Sequence, residues 1–414
     1  MAGLQPVRGT RDILPDERQQ HRFIEETARE AAQRYGYSEV ATPIFEFSDV
    51  FKRTLGDTSD IVTKEMYTFT DKGGDEVTLR PEGTAGVARM LISGGLAQNL
   101  PLKYFYRGPM FRYERPQKGR FRQFHQTGVE LLGVAEPLGD VEVIALGAAV
   151  LDGLGILSKA TLELNTLGNT ESRRAYREKL IAYFNDFRAD LSEESQDRLE
   201  RNPLRILDSK DKRDREIVAN APEFSDSLDA ESAEFFAAVT EGLDALSITY
   251  QLNSRLVRGL DYYCHTAFEF TTEALGAQGT VLAGGRYDGL VEQMGGNATP
   301  GVGWAAGIER LAMLAENAPA EKRPIAIIPV VPDLQSRSLA IAHDLRSRGF
   351  VIELGYRGNM SRRLKRANKL NALASIILGP DELERGAVTV RNLDTGDQGE
   401  VPLETLADHL KQYN

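Results

Sequence analysis

The sequence predicts an α+β protein in two parts. The first is a sheet domain interrupted by a helical insertion; the second is a smaller α/β domain. Three observations carry this. Strand-like runs lie on both sides of a charged, helically periodic stretch at about 170–248. A polar linker with Pro319 occupies residues 315–323. Beyond it, strand and helix patterns alternate over ~90 residues, enough for an independent core.

In chain order, residues 14–36 (LPDERQQHRFIEETAREAAQRYG) carry Pro15 and early acids and stop at Gly36, as a helix does. Its apolar stripe is Phe23, Ile24, Ala28, Ala31 and Tyr35. YSEVATPIFEF is strand-like, but Pro43 confines it to an edge or bulge. EMYTFTD and DEVTLRPEG pair as a hairpin around Lys72-Gly73-Gly74, and residues 84–92 follow as a helix. Residues 105–115 and 121–132 read as two strands joined by a basic loop, 116–120. A helix (140–154) and a strand (159–164) lead into the insertion, whose periodic segments are 173–187 and 231–243. Strands resume at 249–258, 266–271 and 280–283, and GVGWAAGIERLAMLAEN runs from strand into helix. In the last part PIAIIPVV, FVIELGY and ASIILG are strands separated by helices 336–348 and 361–370. A hairpin turning at Thr395-Gly396-Asp397 and a terminal helix, 404–411, complete it.

Side-chain alternation gives the hairpin at 105–132 its interest. It puts Arg112 and Glu114 on one face of the first strand, and Phe124, Gln126 and Glu130 on one face of the second, with Gly128 between them. His125 falls on the opposite face and reads as structural. Alternation alone fits a half-solvated ribbon equally well.

Composition narrows the class. The 414 residues are 41% hydrophobic and 27% charged, ordinary for a soluble globular protein. No apolar run approaches the ~18 residues of a membrane span, and the first residues hold no apolar signal segment. One cysteine, Cys264, excludes an internal disulfide framework and fits a cytoplasmic location. It reads as an inert small hydrophobe. The five histidines show no zinc spacing, so no metal ligands are expected. A net charge of −11 argues against broad nucleic-acid affinity. Residues 323–414, however, carry 13 Lys and Arg against 11 Asp and Glu, so any nucleic acid would be gripped locally.

Familiar nucleotide fingerprints are missing. There is no GxxxxGK[ST] loop, and Gly301, Gly303 and Gly307 are spaced GxGxxxG, one residue too long for a dinucleotide site. HExxH and GxSxG are absent as well. What stands out are arginines beside glycine turns or strand ends: Arg80, Arg112, Arg258 and Arg310. Arginine suits a planar, bidentate grip on phosphate or carboxylate.

TLRPEGT, FRYERPQKGRFRQFHQTGVE, LVRGLDYY, AGGRYDG and GVGWAAGIER, in that order, resemble the class II aminoacyl-tRNA synthetases and, within them, the histidyl-tRNA synthetase family. The resemblance covers nearly the whole chain. It implies a catalytic domain over 1–318, an antiparallel sheet flanked by helices, and an α/β anticodon-binding domain over 323–414, in a homodimer formed around GYSEVATPIFE. It implies activation of L-histidine with ATP and Mg²⁺, then transfer to tRNA(His), without a membrane. Carried over residue by residue, Glu82, Thr84 and Gln126 would surround the α-ammonium of histidine. Glu130 and Tyr263 would take the imidazole nitrogens, with Tyr262 and Tyr287 packing nearby. Arg112 would hold the α-phosphate, Arg310 the γ-phosphate and Arg120 the pyrophosphate. Phe124 would stack on adenine and Glu114 would read its amino edge. Arg258 would bridge the histidine carboxylate and the α-phosphate, sharing catalysis with Arg112. In SRRLKRANK, Arg362, Arg363 and Arg366 would face tRNA. A rival reading is a synthetase-like regulatory subunit of ATP phosphoribosyltransferase; the arginines and the last domain argue against it.

Overall fold

Pro43 splits the first strand-like run in two. Its halves, β1 (Ser38–Val40) and β2 (Phe45–Phe47), join different sheets, because a proline cannot donate to a continuing ladder. The computed structural model of the chain describes residues 3–55, 61–117, 119–207, 209–257, 262–316 and 318–413. These fall into two units, Met1–Ala318 and Pro319–Asn414.

In the first unit, β2, β3 (Tyr67–Thr70) and β4 (Glu76–Leu79) form a small antiparallel sheet in the order β2-β4-β3. The main sheet is built from β1, β5 (Leu102–Phe111), β6 (Gln123–Leu132), β7 (Thr161–Thr166), β8 (Gln251–Leu252), β9 (Cys264–Thr271), β10 (Thr280–Arg286) and β11 (Gly301–Gly307). Their order is β1-β5-β6-β11-β10-β9-β7-β8. The six central strands are antiparallel, as the family resemblance implies, while the short edge strands β1 and β8 run parallel to their neighbours.

The sheet has a structural face and an open face. Val129 and Leu131 of β6, with Trp304 and Ala306 of β11, pack against helices Pro15–Arg34 and Pro137–Gly153. Tyr106, Met110 and Leu132 point the other way, toward Ala85, Ala88 and Leu91 of helix Thr84–Ser93. One buried ion pair fastens the structural side. Arg286 and Asp140 are both wholly buried, and Arg286 Nε lies 3.0 Å from Asp140 Oδ2. Arg286 Nη1 also donates to Val134 O at 2.9 Å.

The stretch at about 170–248 folds as four α-helices with short 3₁₀ turns: Thr170–Asp186, Glu193–Arg201, Lys212–Val218 and Ala230–Ala245. Each begins behind a side chain that accepts from a first-turn N–H: Asn169, Ser192, Asp211 and Asp229. Tyr176, Leu180, Phe184, Leu199 and Phe224 give it a core of its own.

The second unit is a mixed sheet. β12 (Ile325–Pro329), β13 (Ile352–Leu354) and β14 (Ala374–Leu378) are parallel; β15 (Ala387–Asn392) and β16 (Gln398–Pro402) add antiparallel strands, in the order β13-β12-β14-β15-β16. Helix Met360–Lys369 carries the basic run. Arg363 corrects the expectation of one open basic face. At 8% exposure it is turned inward, donating to Pro329 O and to Gln335 Oε1 (3.3 Å). A step of one residue is about 100° around a helix, so neighbours such as Arg362 and Arg363 cannot share a face. Arg362 is exposed, and Arg366 pairs with Glu353 at 2.8 Å.

Candidate active site

β5 and β6 pair from Leu102↔Leu132 to Phe111↔Gln123, and the connection is residues 112–122. Arg112 and Glu114 therefore lie beyond the strand, where sequence alternation placed them within it. They reach the open face because the connection folds back: Arg112 N donates to Arg122 O at 3.0 Å, and Arg112 Nε to Pro81 O at 2.9 Å.

Gly128 does not leave an open gap. The ring of Tyr106, its cross-strand partner, occupies that space, and a Cβ at 128 would lie 2.5 Å from it. Gly303 on β11, opposite Glu130, serves a parallel purpose: any side chain there would collide with the Glu130 carboxylate.

A cavity of about 270 Å³ opens over this face. Its lining includes Arg112, Glu114, Arg120, Phe124 and Arg310, and also Glu82, Thr84, Gln126, Tyr262 and Tyr263. The cations are interleaved with a carboxylate. Arg120 Nη1 lies 3.1 Å and Arg112 Nη1 4.0 Å from the Glu114 oxygens, and the Arg112 guanidinium sits 5.3 Å from the Phe124 ring centre. Arg310 Nη1 donates to Thr280 O at 2.7 Å. Burial and the Arg120 charge lower its pKa, against the Glu114 carboxylate, which raises it.

Glu82 caps helix Thr84–Ser93, accepting from Thr84 N at 2.6 Å and Ala85 N at 2.8 Å. Behind it Glu130 is wholly buried and does not border the cavity. Its oxygens accept from the Thr84 hydroxyl (2.7 Å) and from the Tyr287 hydroxyl. Burial pushes its carboxyl up to about 8, against the two hydroxyls, which lower it, and with Glu82, which raises it further. The Gln126 Oε1 atom is buried, borders the cavity and has no hydrogen-bond donor. Such an oxygen is an unmet requirement that a ligand N–H can satisfy. The Tyr262 and Tyr263 rings lie 4.6 Å apart, tilted by 44°, and Tyr287 meets Tyr262 edge-on at 5.7 Å.

Residues 9–311 match the family model described as histidyl-tRNA synthetase, and residues 324–413 match the anticodon binding domain. The chain belongs to the histidyl-tRNA synthetase family. It is 61% identical over 414 residues to the histidine–tRNA ligase of Rhodospirillum rubrum, covering 100% of both chains. It is 54% identical over 410 residues to that of Gluconacetobacter diazotrophicus, covering 99% of each. The crystal structure of apo S. aureus histidyl-tRNA synthetase superposes with a TM-score of 0.83 at 34% identity, over 99% of this chain and 100% of that one.

Within this family frame, most expected site residues converge on one cavity. Arg258 lies outside the described residues. Arg80, singled out with the other arginines, is a brace: it donates to Thr42 O and Pro109 O, both at 2.9 Å. Cys264 is half-buried, and burial pushes its thiol up to about 12, so it is unreactive near neutral pH.

Sequence reasoning left Tyr287 undecided and missed two acids. Glu269 borders the cavity and accepts from the Thr280 hydroxyl at 2.8 Å. Glu309 also borders it and accepts from His125 N at 2.9 Å. Glu309 sits beside Arg310 in GIER, which was the available signal. His125 indeed points away from Gln126, with Nδ1 2.8 Å from Glu309 Oε1.

Proposed function

We propose that the chain activates L-histidine with ATP to histidyl-adenylate, releases pyrophosphate and transfers histidine to the 3′ end of tRNA(His). The observation that carries this is the lining of a single cavity: three arginines and a phenyl ring, together with a residue whose buried amide oxygen has no donor, and a buried carboxyl outside the lining.

In this reading Phe124 stacks on adenine, Arg112 grips the α-phosphate and Arg310 the γ-phosphate, with Arg120 on the pyrophosphate and Glu114 at the adenine amino edge. Gln126 Oε1 accepts from the α-ammonium, beside Glu82 and Thr84. Tyr263 and Glu130 take the imidazole nitrogens, Glu130 only after the Thr84 or Tyr287 hydroxyl that now covers it turns aside, with Tyr262 and Tyr287 as packing. Arg258 spans the histidine carboxylate and the α-phosphate. The substrate carboxylate is already a nucleophile, so the protein contributes positioning and charge stabilisation rather than a base. Mg²⁺ would enter with ATP. Glu114 and Glu269 are carboxylates at the cavity able to hold it, consistent with an ion bound by one or two carboxylates plus phosphates. It would neutralise charge on the departing pyrophosphate.

The second unit, with Arg362 and Arg366 on an exposed helix face, would hold the anticodon arm; Arg363 would shape that helix rather than touch RNA. A homodimer is supported by the exposed phenylalanines of the small sheet, Phe45, Phe47 and Phe69, 49–61% exposed. A cytoplasmic location follows from a role in charging tRNA, and no helix among the described residues is long and apolar enough to cross a membrane.

Purified protein with ATP, Mg²⁺ and tRNA(His) should form histidyl-tRNA and no other aminoacyl-tRNA, and should sediment at about twice the chain mass. Histidine binding without charging would instead favour the regulatory-subunit reading.

The raised Glu130 pKa also gives a stability prediction. A carboxyl whose folded pKa exceeds its unfolded value contributes most below the unfolded value, and that contribution is lost as pH rises toward the folded one. The window therefore runs from about 4.5 to about 8. Denaturant unfolding of wild type and Glu130→Gln should show the variant gaining ~3 kcal/mol relative to wild type from pH 5 to pH 8. A pH-independent difference would mean that Glu130 is ionised in the folded protein throughout.

A further inference from the structure

We propose that His21, His125 and Glu309 form a binding site for one divalent transition-metal ion of the zinc type, behind the substrate cavity. One donor atom from each of the three lies within 4.8 Å of the other two. They come from three separate elements: helix Pro15–Arg34, β6 and helix Ile308–Ala312. The cluster is therefore invisible as a sequence spacing.

The second observation is His21 itself. It is wholly buried, yet neither ring nitrogen has a hydrogen-bond partner. A buried imidazole normally satisfies at least one of them. Its ring meets that of His125 at an angle of 66° with centroids 5.6 Å apart. Imidazole nitrogen is the commonest protein ligand for such ions, and two imidazoles with a carboxylate make a donor set suited to zinc.

Glu309 is already held in place by the His125 N–H and Nδ1, at 2.9 and 2.8 Å, and a carboxylate keeps lone pairs beyond those. Glu17, one turn before His21, has Oε1 3.8 Å from His21 Nε2, but it is engaged by Arg11 and lies outside the three-residue group. Of the three arginines sharing the adjoining hollow with His125, Arg18 is matched by Glu25, and Arg107 by Glu26 and Glu39; Arg22 is the third. Ligand bonds of ~2.0–2.2 Å place donor atoms about 3.4 Å apart. Binding thus requires side-chain movements of about an ångström, within reach of rotamer adjustment.

An ion here would strap the first helix to the strand carrying Phe124 and Gln126 and to the helix carrying Arg310. It would act as a positioning element beneath the cavity, without contacting substrate.

The test uses the full chain, stripped with chelator and dialysed against Co²⁺, whose visible absorption reports nitrogen and oxygen coordination. Wild type should retain one equivalent per chain, and His343→Ala, in the other unit, should match it. His21→Phe keeps a buried ring but no donor, and should bind at least tenfold more weakly; His21→Gln gives the same comparison if the phenylalanine variant does not fold. Equal affinity in wild type and the folded His21 variant, or no retained Co²⁺ in wild type, overturns the proposal.

Discussion

Glu130→Ala should lower kcat/KM for histidine in pyrophosphate exchange by ~10³-fold or more, while the KM for ATP changes little. A site built to hydrogen-bond its substrate discriminates by ~10⁴–10⁵ against a partner that lacks the group, because buried polar atoms are left unpaired. Removing the protein's side of that bond has the same origin. Here the variant would also strip the Thr84 and Tyr287 hydroxyls of their acceptor, each at a cost of ~1–3 kcal/mol. Some loss of stability should therefore accompany the loss of activity. Glu130→Gln keeps the volume and an acceptor, and separates the two effects. An unchanged histidine-dependent exchange rate in the folded alanine variant would end the assignment of Glu130 to the imidazole.

The second large effect concerns the fold. Asp140→Ala should destabilise the first unit by ~3–5 kcal/mol, the usual cost of leaving one member of a buried ion pair alone. Asp140 and Arg286 are both inaccessible to water, and Asp140 takes two of the Arg286 hydrogen bonds through Nε and Nη2. Denaturant unfolding of the full chain checks it. Replacing both residues with apolar side chains should recover much of the loss, since the penalty comes from an uncompensated charge rather than from a missing attraction. A single variant as stable as wild type would show that water reaches the pair.

The hairpin, the helical insertion and the separate last unit were legible from periodicity, because each buries one face and its pattern records which; the antiparallel pairing of the main sheet came from the family resemblance. Legibility stopped where the chain stops being periodic. Arg112 and Glu114 sit in a connection whose turn back onto the sheet depends on contacts with Pro81 and Arg122, which alternation cannot encode. Gly128 looked like room for a ligand because Tyr106 is its partner across the ladder, some 20 positions earlier, and register cannot be read from one strand. Arg363 shared a basic run with Arg362, but the run crosses from the solvent side of its helix to the sheet side. His21, His125 and Glu309 meet only because three distant elements pack together.

The pairing of Arg120 with Glu114, and the nearness of Arg112 to the same carboxylate, carry a consequence for turnover. At rest these arginines hold their own internal counter-ion. An incoming triphosphate must displace it, and a departing pyrophosphate is replaced by it. Binding is then an exchange of anions rather than the capture of one by bare cations, which caps affinity for the nucleotide and for the leaving group alike. Under the proposed phosphate roles, the ready substitute would let Arg112 and Arg120 grip hard in the transition state without becoming a trap for the product.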